Sequence, residues 1–72
     1  MSDAEKKKLN KLLEEFKRRS KKRGYDIEYS IEGNFITVSM NGSRGRLLKD
    51  SGKYYMKSDD YQLIGLWRNF YG

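Results

Sequence analysis

The chain contains no cysteine and no histidine. Without cysteine no disulfide can staple a small fold, and without Cys/His sets no zinc site can substitute for one. The same absences remove the thiol nucleophile and the imidazole base on which most covalent and general-base catalysis depends. No apolar run approaches the roughly 18 residues of a membrane span, and the charged N-terminal stretch lacks the apolar core of a signal peptide. A soluble, non-catalytic protein compatible with the cytoplasm is therefore expected, with no cofactor, no metal and no membrane partner. At 72 residues it should form a single domain, 1–72. A chain of this size buries only about 60–65% of its unfolded surface, so well-formed local structure or association must supply stability.

Net charge is also missing from most of the chain. Residues 24–72 hold six acids and six bases. The whole formal charge of +6 lies in residues 1–23, where ten Lys/Arg face Asp3, Glu5, Glu14 and Glu15. Charge placed so unevenly points to a polyanionic partner without identifying it.

Ser2-Asp3-Ala4-Glu5 has the form of a capping box, in which each end satisfies the other's free amide. Leu9, Leu12, Leu13 and Phe16 follow at i, i+3, i+4 and i+7, a single apolar stripe. Gly24 after a basic last turn suits a left-handed C-terminal cap. A helix over residues 3–23 follows. Its run Lys17, Arg18, Arg19, Lys21, Lys22, Arg23 has two readings. The cations can complement the negative end of the helix dipole, aided by Glu14 and Glu15 four residues before Arg18 and Arg19. Alternatively Lys17, Arg18, Lys21, Lys22 and Arg23 form a phosphate-binding surface.

After Gly24 the period becomes two. Tyr25, Ile27, Tyr29 and Ile31 alternate with polar residues, and strands are expected over 25–32, 35–40, 44–49, 53–57 and 61–71. Gly33-Asn34, Asn41-Gly42, Ser51-Gly52 and Asp59-Asp60 are the turns between them. Two-residue loops set the register: Ile31 opposite Ile36, then Leu47, Met56 and Leu63, with Ile27, Tyr29, Val38, Met40 and Trp67 on the same face. A slip of one residue would scatter this row, so the pattern supports its own register. The same count places Phe35, Leu48, Tyr55 and Ile64 in a row on the opposite face, among the solvent-facing Thr37, Ser39, Arg44, Arg46, Lys57 and Gln62. Such a row needs a cover: Phe70 and Tyr71, a curling sheet, or a second copy. Gly45 and Gly65 suit bulges or bends in their strands.

Other motifs have plain structural readings. Asp59-Asp60 is a turn rather than a cation site. Gly42-Ser43-Arg44-Gly45-Arg46 lacks the following helix and the lysine of a phosphate-binding loop. Tyr54, Tyr55 and Trp67 could stack bases, but strand aromatics more often pack across strands.

Residues 52–67, GKYYMKSDDYQLIGLW, resemble one aromatic hairpin of the choline-binding repeats of bacterial cell-wall proteins, without the Trp that precedes the Tyr pair there. What the two share is a hairpin. Over residues 1–42, the capping box, the Lys/Glu/Arg-rich helix, the glycine cap, strict alternation and the Gly-Asn and Asn-Gly turns resemble idealised designed α+β mini-proteins, as does the lack of Pro, Cys and His. That resemblance implies a scaffold rather than an enzyme.

The expected fold is α+β: one N-terminal helix across a curved, five-stranded antiparallel meander, cystatin-like in outline or a partial barrel. The expected function is a structural scaffold or protein-interaction module, designed in origin, with either a homodimer through Phe35, Leu48, Tyr55 and Ile64 or coverage of that row by Phe70 and Tyr71. The alternative is a small nucleic-acid-binding protein of phage or plasmid type that contacts phosphates through its basic helix.

Overall fold

A computed structural model describes all residues, Met1–Gly72. The elements run α1 (Asp3–Lys22), β1 (Ile27–Glu32), β2 (Phe35–Met40), β3 (Ser43–Asp50), β4 (Lys53–Ser58) and α2 (Tyr61–Tyr71). The class is α+β with an antiparallel sheet, but the sheet has four strands, in the order β1-β2-β3-β4, and it is open.

Both ends of α1 are capped, but only half of the expected capping box forms: the Glu5 carboxylate turns to Lys49, 3.7 Å away, instead of reaching back to Ser2. The Ser2 hydroxyl accepts from the Glu5 amide at 3.2 Å. At the other end Tyr25 N–H reaches the Ser20 carbonyl at 2.9 Å and Gly24 N–H the Lys21 carbonyl at 3.0 Å, the paired bonds of a Schellman cap. Leu9, Leu13, Phe16 and Ser20 are buried, while Leu12 lies half-buried at the edge of the stripe.

The sheet register agrees with the loop count as far as Met56; its last step, Met56 opposite Leu63, fails because Leu63 lies in α2 and not in a strand. Ile31 pairs with Ile36, Ile36 with Leu47, and Leu47 with Met56. Asn41 and Gly42 both have positive φ, +48° and +87°, the backbone of a two-residue turn whose twist matches that of its strands. Ile27, Ile36, Val38, Met40, Leu47 and Met56 form the buried face of the sheet; Ile31, at the end of the row, is half-buried.

The segment expected as a fifth strand, 61–71, is instead helix α2. Asp60 caps it, its carboxylate accepting from the Gln62 amide at 2.9 Å. Leu63, Leu66, Trp67 and Phe70 then recur at the spacing of Leu9, Leu12, Leu13 and Phe16, a second apolar stripe. The physical cause lies in the width of the sheet. Four strands spaced about 4.8 Å apart offer more apolar surface than one helix about 10 Å across can cover. α1 packs over β1 and α2 over β4. Phe16 meets Trp67 edge-on at 5.1 Å, and Phe70 lies 5.2 Å from Phe16. The cystatin-like outline and the partial barrel are thus replaced by two helices on one face of a four-stranded sheet. Residues 52–67 correspondingly form a strand and most of two helical turns, and not an aromatic hairpin.

The two glycines expected to bend strands do neither. Gly45 keeps unbroken pairing, opposite Val38 and Ser58. Gly65 lies inside α2, and a methyl group there would meet nothing within 4 Å. Gly65→Ala should therefore stabilise the fold by about 0.5–1 kcal/mol, because alanine loses less backbone entropy in a helix. Urea unfolding followed by circular dichroism measures this; a destabilised variant would mean that residue 65 is not helical.

Candidate functional site

Because both helices lie on one face, the other face of the sheet is open. The pairing places its side chains in rows. Glu32, Phe35, Leu48 and Tyr55 form one row. Ser30, Thr37, Arg46 and Lys57 form the next, followed by Glu28, Ser39 and Arg44. Phe35 remains 54% exposed and Tyr55 48%, with Leu48 half-buried between them.

Ile64 does not belong to this surface. It sits on α2, half-buried against the core cluster on the far side of the sheet. Gln62 also belongs to α2, where its amide donates to the Tyr25 hydroxyl at 2.7 Å. Phe70 and Tyr71 do not cover the row either. Tyr71 stacks on Trp67 at 4.9 Å and accepts from the Tyr54 N–H at 3.2 Å. Trp67 donates its indole N–H to the Tyr54 carbonyl at 3.2 Å. Tyr54 and Trp67 are consequently structural, and of the aromatics considered for stacking only Tyr55 faces outward.

The sheet cations were placed on the solvent side by the sequence, but their grouping was missed. Arg46 lies directly opposite Lys57, and Arg44 is two residues from Arg46 on the same face. None of the three is in an ion pair. The Arg46 guanidinium sits over the Phe35 ring, 4.1 Å from its centroid, within cation–π range. An open groove of about 500 Å³ runs past Thr37, Arg44, Arg46, Lys57, Ser58 and Asp59. A second, of about 340 Å³, continues past Thr37, Ser39 and Phe35 toward β1. The signal was available from the register: two like charges directly opposite each other on one face.

The basic helix is partly neutralised. Lys17 pairs with Glu28 at 3.3 Å, and Arg18 and Arg19 both pair with Glu15. Lys21, Lys22 and Arg23 are exposed and unpaired. Of the five candidate phosphate contacts, the structure therefore leaves these three free.

No cluster of potential metal ligands is present. Asp60 acts as a helix cap: hydrogen bonding from the Ser43 hydroxyl chiefly holds its carboxyl below the ordinary value, the Gln62 and Leu63 amides adding to this against desolvation. The Gly42–Arg46 segment is a turn and the start of β3, with no helix following it in the chain; the α2 N-terminus that lies beside it is already capped by Asp60. Tyr29, tied to Glu14 of α1, is pushed up to about 12 by burial first and by the Glu14 carboxylate second. That fixes it as a strut between helix and sheet. No helix is long and apolar enough to cross a membrane. Comparison with known protein families, curated proteins and solved structures finds no match.

Proposed function

We propose that this chain is a non-catalytic interaction module, a compact scaffold that docks its partner on the open face of the sheet. The observation that carries this reading is the exposure of Phe35 and Tyr55 on either side of Leu48, with both helices committed to the opposite face. A solvated sheet face ordinarily carries polar side chains. A row of three apolar residues there is better explained by contact than by folding. The Ser2 cap, the Schellman cap and the two-residue turns support a designed scaffold as its origin. Self-association through the same row, the homodimer expected from the sequence, is one form the docking can take.

A second reading, a nucleic-acid-binding protein of phage or plasmid type using the basic helix, is supported by the unpaired Lys21, Lys22 and Arg23. The pairing of Lys17 and Arg18 weighs against it, because surface already neutralised releases fewer counterions.

Sedimentation equilibrium from micromolar to millimolar concentration, beside polyanion titrations at low salt, tests the module. Association or binding that the double variant Phe35→Thr/Tyr55→Thr removes is the expected result; threonine keeps the strand propensity. A protein that stays monomeric and binds no polyanion would overturn it.

A further inference from the structure

We propose that the open face of the sheet binds single-stranded nucleic acid, with phosphates on Arg44, Arg46 and Lys57 and bases stacked on Tyr55 and on the Arg46–Phe35 pair. This rests on the reading of that face as the docking surface, and it names the occupant.

The charges come first. Arg46 and Lys57 are cross-strand neighbours of the same sign, an arrangement that destabilises a sheet. Neither they nor Arg44 are offset by an acid within ion-pairing distance. A bound polyanion relieves that repulsion. Glu28 and Glu32 line the β1 margin of the face, where Glu28 is held by Lys17, and Asp59 lines the other end of the groove beyond ion-pairing distance of all three cations. Between these margins a phosphate chain meets the cations of β3 and β4.

The flat groups come second. Phe35 and Tyr55 lie in one row with Leu48 between them, two strand spacings or roughly 10 Å apart. The guanidinium 4.1 Å above Phe35 extends that ring with a second planar surface. Aromatic rings and arginine planes are the surfaces on which unpaired bases stack. The two grooves share Thr37 and Arg44, so they form one track across the sheet. Phe35 borders this track and Tyr55 stands outside it, in the row beyond; bases paired and stacked within a duplex present no free face to either ring, which selects for single strands.

A second copy of the chain fits less well. Packed face to face about a two-fold axis along the central strands, it would bring Arg44 and Arg46 of β3 alongside the same residues of its partner. The charge that attracts a polyanion opposes that dimer.

Fluorescence anisotropy with a fluorescein-labelled oligothymidylate of about ten nucleotides, a matching oligouridylate and a duplex of the same length provides the test. Single strands should bind and the duplex should bind more weakly. Three neutralised phosphates imply a fall in affinity of about twentyfold between roughly 50 and 200 mM salt. The variant Arg44→Gln/Arg46→Gln/Lys57→Gln should flatten that dependence. Tyr55→Thr should weaken binding about tenfold or more, whereas Tyr55→Phe, which keeps the ring, should retain it. Circular dichroism checks that each variant is folded. Binding that is equal for duplex and single strand, and is lost only in Lys21→Gln/Lys22→Gln/Arg23→Gln, would overturn the proposal in favour of the helix. No binding, with a concentration-dependent dimer that Tyr55→Thr dissolves, would also overturn it while leaving the docking face standing. No binding and no dimer would defeat both.

Discussion

Trp67→Ala should cost about 3–5 kcal/mol, the range for deleting a large buried aromatic. A domain of 72 residues has a total stability of about 4–11 kcal/mol, so this one change should remove much of it. Three losses combine. Trp67 is 1% exposed, and alanine leaves its volume unfilled. The edge-on contact with Phe16 and the stack with Tyr71 disappear. The Tyr54 carbonyl on β4 loses its indole donor. Trp67→Phe separates these effects, since it keeps an aromatic body in the core but leaves the Tyr54 carbonyl unpaired by α2. Urea unfolding followed by far-ultraviolet circular dichroism should place Trp67→Phe between wild type and Trp67→Ala. A loss below about 1 kcal/mol for Trp67→Ala, the size of a surface change, would mean that α2 is not docked on the sheet.

Gly45→Val is the second large expected effect, at about 1–3 kcal/mol or more from overpacking. Gly45 is buried in β3 beneath α2. A Cβ there would lie 2.6 Å from Met56 Sδ, 3.1 Å from Leu63 Cδ2 and 3.1 Å from Ser58 Cβ. The thioether can swing aside, but Ser58 Cβ is fixed to the backbone of the paired strand. Gly45→Ala should therefore be milder than Gly45→Val. Combined with Met56→Ala it should cost less than the sum of the two single changes, because the smaller side chain vacates the space the new methyl needs. Strict additivity of those free energies would show that Met56 is not the obstacle. Glycine at this position lets the helix come close to the sheet; it does not bend the strand.

The strands were readable because each turn carries its own geometry. Gly33-Asn34, Asn41-Gly42 and Ser51-Gly52 admit two-residue loops, and loop length sets which residues face each other. Ile31, Ile36, Leu47 and Met56 then had to align. The segment 61–71 misled because composition and period disagreed. Tyr61, Ile64, Trp67, Phe70 and Tyr71 favour strands, and Gly65 is a poor helix former. Against them stood the spacing of Leu63, Leu66, Trp67 and Phe70 and an Asp at the capping position. The apolar width of the sheet decided between the two, and that quantity belongs to the assembled strands rather than to the segment. The same error carried Ile64 into a row where it has no place. At the candidate surface, Phe35, Leu48 and Tyr55 followed from register alone. The cluster of Arg44, Arg46 and Lys57 needed one more step, reading neighbours across strands instead of along them.

The two edges of the sheet are unlike. On β4, the outer N–H and C=O of Tyr54 are both occupied by side chains of α2. On β1, no side chain bonds the backbone. A sheet that can grow at both edges can add copies without limit, the route to fibrils. On β4 a strand approaching over Tyr54 finds both of that residue's groups taken, whereas one approaching β1 meets no such competitor. The tryptophan and tyrosine that complete the core thus also compete, at Tyr54, with any strand that would pair along β4.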